Sequence, residues 1–289
     1  MSNILNYSKK LSLVFLGLVL AFIILELCVR ILFNFLPDND LPTYGIYQEH
    51  HPIIGQKLIP NSKGVWNKEG FSKVEINSQG WNDFEREYNK PPNVIRVAIV
   101  GDSFIEALQV PKTDSVGSKL ESWLDVNCKN QLDQLKYEVL SFGASGWGTA
   151  QMHVAIENEI IKYDPDFVII AFFPGNDLKN NIYELELNSN RPYFKIENGS
   201  LIQSVFPSIN SSFKRSAYVF LRDNFLVIQL IREPIVNIFW EFSREEKIKE
   251  SNSEGKSNYS KRLDLIDRGT WGNDLDNEFV EYSWDLFES

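Results

Sequence analysis

Residues 96–108, RVAIVGDSFIEAL, run as an unbroken apolar stretch, stop at Gly101-Asp102-Ser103 and then turn amphipathic. A continuous Val/Ile run without polar alternation is the pattern of a strand buried on both faces, as in a parallel sheet. The motif repeats downstream. VIRVAIV (94–100) is followed by a helical period over Ser115–Cys128, YEVLSF (137–142) by another over Thr149–Tyr163, and DFVIIAFF (166–173) continues the series. Val116, Leu120 and Leu124 share one helical face, and Met152, Ile156 and Ile160 share another. Apolar strands separated by amphipathic helices predict an α/β fold: three layers, with helices on both faces of a parallel sheet and right-handed crossovers.

Upstream, LSLVFLGLVLAFIILELCVRILFNFL (11–36) is long enough to cross a hydrocarbon core that needs about 20 residues, interrupted only by Glu26 and Arg30. Lys9 and Lys10 precede it and Asp38 and Asp40 follow it. The positive-inside rule therefore predicts a cytoplasmic tail (1–10), a transmembrane anchor (11–36) and an extracytoplasmic remainder. A cleaved signal peptide is the rival reading, but no small-residue cleavage site follows the apolar run. Cys28 follows the bulky Leu27, unlike a lipoprotein cysteine.

Residues 37–92 are rich in Pro and Gly with short β-like pieces, which predicts a lead-in or strap rather than a separate domain, and 93–289 form the main domain. RPYFKIENGSLI (191–202) predicts a hairpin with Asn198-Gly199 at its tip, and SAYVFLRDNFLVIQLIREPI (216–235) an apolar helix. Residues 243–262, nearly devoid of apolar side chains, are expected to be solvated. FVEYSWDLFES (279–289) starts like an amphipathic helix and stops, so a C-terminally truncated domain is expected.

A net charge of −10 and the lack of a basic stripe set nucleic acid aside as a partner. Two cysteines without a C-x-x-C and three histidines leave no framework for a metal site or disulfides, and no cofactor is expected.

In a parallel sheet, ligands sit beyond the carboxyl ends of the strands, so GDSF (101–104), GASGWGTAQ (143–151) and PGND (174–177) are expected to share one crevice. Ser103 opens a helical turn, where unpaired N–H groups favour an anion formed beside its hydroxyl. Gly146 offers a bare N–H and Asn176 an amide donor. With the Ser103 N–H they would make a three-donor oxyanion hole. Gly143 competes with Gly146 for the second donor. Phe172, Phe173, Trp147 and Tyr183 are candidates for an acyl- or sugar-binding surface, though such aromatics are more often packing.

These blocks resemble those of the SGNH/GDSL hydrolases, serine esterases and lipases with a flavodoxin-like sheet, over roughly residues 93–180. The resemblance implies Ser103 as nucleophile and Gly146 and Asn176 as oxyanion donors. EINSQGWNDFERE (75–87) is also similar to membrane-anchored members associated with bacterial surface polysaccharide. The chain departs from the family where an Asp-x-x-His should supply the base: none of His50, His51 and His153 has an Asp three residues before it. His153 lies in the first turn of the helix after GASGWG, where a surface histidine is the ordinary reading, and His50 and His51 lie in the lead-in. The resemblance thus implies an extracytoplasmic ester hydrolase working through an acyl-serine on a saccharide or lipid. An O-acyltransferase and an inactive carbohydrate-binding or assembly protein remain as alternatives.

Overall fold

The computed structural model describes residues 2–128, 135–181, 183, 190–206, 213–232, 234–236 and 238, so the readings for 243–262 and 279–289 lie outside the described residues. Strand β5 (Val94–Gly101) forms the centre of a parallel sheet, between β6 (Lys136–Gly143) and β7 (Phe167–Ala171). Side chains alternate across a strand. Val97 and Ile99 pack with Leu120 and Leu124 of helix α3 (Val116–Asn127), whereas Ala98 and Val100 pack with Met152, Val154 and Ala155 of α4 (Thr149–Asn158). The two helices therefore lie on opposite faces. From β5 the chain crosses by α3 to β6 on one side, then returns by α4 to β7 on the other, so its winding direction reverses at β5.

Two sequence expectations need correction. Val116 is 57% exposed, because it occupies the first turn beside the Ser115 cap, whose Oγ accepts the Ser118 N–H at 3.2 Å, and only Leu120 and Leu124 reach the sheet. The expected cover on both faces holds for β5 and the inner half of β6 but not for β7. There Phe167, Val168, Ile169 and Ile170 are all between 41% and 62% exposed. Both crossover helices pack over β5 and β6, and of β7 only Ala171 joins a core cluster.

The lead-in contains two antiparallel pairs, β1 (Gln48–His51) with β2 (Gly55–Leu58) and β3 (Lys63–Asn67) with β4 (Phe71–Glu75). It is built into the main core. Trp81 packs edge-on against Phe142 and Trp147, with ring centroids 5.1 and 5.8 Å apart, and Ile54 lies in the same cluster. Asp83 Oδ2 accepts the Ser141 N–H at 3.1 Å, tying the lead-in to β6. Further on, β8 (Tyr193–Glu197) and β9 (Ser200–Val205) form a hairpin whose tip, Asn198-Gly199, takes positive φ at both positions. Those angles match the right-handed twist of a two-residue hairpin. Helix α5 (Phe213–Asn224) and a helical stretch over 226–232 follow. At the N-terminus, α1 (Ser2–Phe33) holds one apolar stretch, Lys9–Phe33, long enough to cross a membrane or to serve as a signal sequence.

Candidate functional site

The three strands end level. Gly101 pairs with Gly143 on one side and Ala171 on the other, so the loops after β5, β6 and β7 leave the sheet along a single rim. After β5 the chain turns within one residue. Asp102 caps the single-turn helix α2 (Ser103–Glu106), its carboxylate accepting the Phe104 N–H at 2.9 Å, and Ala107 closes the turn in the left-handed region. Ser103 is the first residue of that turn and partly exposed. Its hydroxyl and its N–H have no hydrogen-bond partner among the described residues.

After β6, Gly143 lies against the turn of α2. A Cβ there would come within 2.2 Å of the Glu106 nitrogen, so this glycine serves the close approach of two backbones. Gly146 has φ +78°, a conformation few other residues adopt, and its N–H has no partner among the described residues. Its carbonyl accepts Asn180 Nδ2 at 3.0 Å. After β7, Asn176 Nδ2 donates to Asp177 Oδ1 at 3.0 Å and reaches the Trp147 carbonyl at 3.4 Å; burial raises the pKa of Asp102, and the same amide offsets that rise only in part. Asn176 therefore touches the loops that follow β5 and β6. As found, its amide is turned toward those acceptors and not toward open space.

Two buried acids at this rim escaped the sequence reading. Glu106 is 2% exposed, accepts the Ser145 hydroxyl and Gln48 Nε2 (3.4 Å), and is pushed by burial up to about 7, against the pull of those hydrogen bonds. A single acid on the apolar side of FIEAL, three residues after the serine, was the available signal. Asp177 is fully buried, accepts the Phe173 N–H at 2.8 Å, and is likewise raised to about 7 by burial, with the nearby Asp102 charge adding to the rise. Its signal was weaker, since an Asn-Asp pair reads as a turn.

The histidines lie elsewhere. His153 is half exposed on α4, 3.6 Å from Glu157 and edge-on to Phe194. His51 Nδ1 accepts the Ile54 N–H at 3.2 Å, and burial lowers its pKa. His50 lines a cavity of about 360 Å³ with Tyr47, Gln56 and Arg232. Of the candidate aromatics, Trp147 is wholly buried, its indole N–H donating to the Gln56 carbonyl at 2.9 Å, so it is core. Phe173 packs at a tilt against Phe104, the residue after Ser103, with centroids 4.9 Å apart, and both are partly exposed beside the rim. Tyr183 packs edge-on against Tyr193 of the hairpin, with centroids 5.4 Å apart.

No protein-family model and no curated protein matches the chain. Among solved structures, AlinE4, an SGNH-hydrolase family esterase, is a distant neighbour at 19% identity, over 34% of this chain and 55% of that one, with a TM-score of 0.25. The match spans about half the length of that esterase.

Proposed function

We propose that this chain is a membrane-anchored serine hydrolase of the SGNH type, acting on acyl or acetyl esters of a saccharide or lipid outside the cytoplasm. One observation carries the reading: Gly101 pairs with both Gly143 and Ala171, and the Asn176 amide reaches the Trp147 carbonyl at 3.4 Å, so the loops bearing Ser103, Gly146 and Asn176 leave the sheet over one rim. That rim is also where the winding reverses, the usual position of a ligand crevice in an open parallel sheet. The flavodoxin-like three-layer arrangement belongs to the same proposal.

In the proposed reaction Ser103 Oγ attacks the ester carbonyl carbon and its proton leaves to a base. The carbonyl oxygen, now negative, is held by the N–H groups of Ser103 and Gly146 and by the Asn176 amide after it swings from Asp177. The C–O bond then breaks, the alcohol departs with the proton, and water hydrolyses the acyl-serine to regenerate Ser103. The exposed Phe104–Phe173 pair offers an apolar lip for the acyl chain. In the acyltransferase variant, a sugar hydroxyl replaces water in the second step.

A second reading, a non-catalytic binder, is favoured by a specific observation: among the described residues no imidazole or carboxylate is hydrogen-bonded to the Ser103 hydroxyl. A fluorophosphonate probe separates the two. Covalent labelling of the full-length protein that disappears in Ser103→Ala supports the hydrolase, whereas labelling of neither form leaves the binder.

A further inference from the structure

Glu26 lies within the apolar stretch of α1, yet it is only 6% exposed, and its partners come from about 200 residues away. Its two carboxylate oxygens accept the N–H groups of Leu226 and Val227, each at 2.9 Å, the first unpaired donors of the helical stretch that begins there. Arg30, one turn on, pairs with Glu26 at 2.7 Å and donates to the Asn224 carbonyl at 2.8 Å. Phe22 packs at a tilt against Phe225, with centroids 5.3 Å apart. Together these contacts dock the start of the helix at 226 onto α1 at a defined height.

With α1 as a membrane anchor, that height is inside the lipid. Lys9 and Lys10 mark the inner end of the span, and a hydrocarbon core of about 20 residues counted from Leu11 ends near Arg30. Glu26 then lies roughly 6 Å below the outer boundary and Phe22 roughly 12 Å below it. A carboxylate at such a depth is costly unless it is paired and hydrogen-bonded, which is what Leu226, Val227 and Arg30 do. Beyond that cap, Ile231, Ile235 and Ile238 recur at helical spacing and are 46%, 46% and 53% exposed, a half-exposed apolar stripe. Flanking it are side chains suited to the headgroup region. Arg222 and Arg232 stack on the Tyr47 ring at 4.8 and 5.2 Å, and Arg232 Nε donates to the Tyr218 hydroxyl at 3.0 Å.

We propose that residues 225–232, together with Ile235 and Ile238, form a second membrane element, lying in the outer leaflet with the Ile231/Ile235/Ile238 stripe against acyl chains and held to α1 by Glu26. The proposal rests on the reading of α1 as a membrane anchor. It fixes the catalytic domain to the bilayer at two places, so that the rim bearing Ser103 keeps a set height and orientation over the membrane.

The test uses full-length protein in which Cys28 and Cys128 are replaced by Ser, reconstituted into phosphatidylcholine–phosphatidylglycerol vesicles. A single cysteine is introduced at Ile235, at Leu20 or at Glu197 and labelled with an environment-sensitive fluorophore, and lipids nitroxide-labelled high on the acyl chain act as quencher. The expected result is a blue shift and quenching at Ile235→Cys and Leu20→Cys, with Glu197→Cys on the hairpin unaffected. Adding Glu26→Ala should return the Ile235→Cys probe to a water-like spectrum while leaving Leu20→Cys quenched. A quenched Leu20→Cys with an unquenched Ile235→Cys overturns the proposal and leaves the anchor standing. Absence of quenching at both overturns the anchor and the proposal with it, and an Ile235→Cys probe indifferent to Glu26→Ala overturns the role given to Glu26.

Discussion

β5 and β7 are neighbours in one sheet, hydrogen-bonded from Val97↔Phe167 to Gly101↔Ala171, and over those paired positions both are apolar. Their surroundings are opposite. Ile99 and Val100 are 3% and 0% exposed, whereas their ladder partners Ile169 and Ile170 are 44% and 47% exposed. β5 is held by packing, with a helix on each face. β7 is held by its ladder and by polar ties at its ends: Asp166 accepts the Arg96 N–H at 2.7 Å before it, and Asp177 accepts the Phe173 N–H after it. Each strand also delivers one candidate catalytic side chain, Ser103 from the packed strand and Asn176 from the tied one. An apolar strand therefore states only that it wants cover. What covers it is written in other parts of the chain.

The comparison can be broken first at the rim. In the proposed reaction Ser103 is the nucleophile, so Ser103→Ala should reduce hydrolysis of a small activated ester by about 10³-fold or more. Asn176→Ala should lower kcat by about 10²–10³-fold with substrate binding little changed, because the amide matters where charge develops. Steady-state kinetics on the full-length protein in detergent checks both. Wild-type rates in either variant would mean that the rim of that strand takes no part in the chemistry.

The strands themselves come next. Ile99→Ala should destabilise the protein by about 2–5 kcal/mol, and Ile169→Ala, at the paired position, by less than about 1 kcal/mol. Chemical denaturation of the two variants in the same detergent measures the difference. Equal losses would show that β7 is as well covered as β5 in solution.

The sequence was readable wherever one local rule decided the outcome. The parallel strands, the two crossover helices and the Asn198-Gly199 hairpin followed from unbroken apolar runs, helical spacing and turn chemistry. So did the meeting of three loops, because parallel strands in register must end on one side. What could not be read depends on contacts distant in sequence. The exposure of β7 depends on where α3 and α4 come to rest. The burial of Trp147 depends on Trp81 and Gln56 from the lead-in, and the burial of Glu106 on Gln48 and Asn82, all of them 24 or more residues away. The Glu26 carboxylate looked like an interruption of an apolar run because its partners, Leu226 and Val227, lie at the other end of the chain.

The finest distinction concerns the two buried acids, Glu106 after β5 and Asp177 after β7, whose ordinary values of 4.5 and 3.8 both rise to about 7 in the folded protein. A folded state that holds its protons more tightly than the unfolded chain is most favoured at low pH. Their contribution is fully present below about pH 4, declines as the unfolded chain gives up its protons from pH 4 upward, and is gone above pH 7. At 1.36 kcal/mol per unit, Glu106 can account for at most about 3 kcal/mol of that decline and Asp177 for at most about 4 kcal/mol. Glu106→Gln and Asp177→Asn should each shallow the fall in stability between pH 4 and 7, and the double variant should flatten it further. Thermal unfolding across that range measures the slopes. If Asp177→Asn alone removes the slope, the rim of the exposed strand holds the proton. If only Glu106→Gln does so, the packed strand holds it.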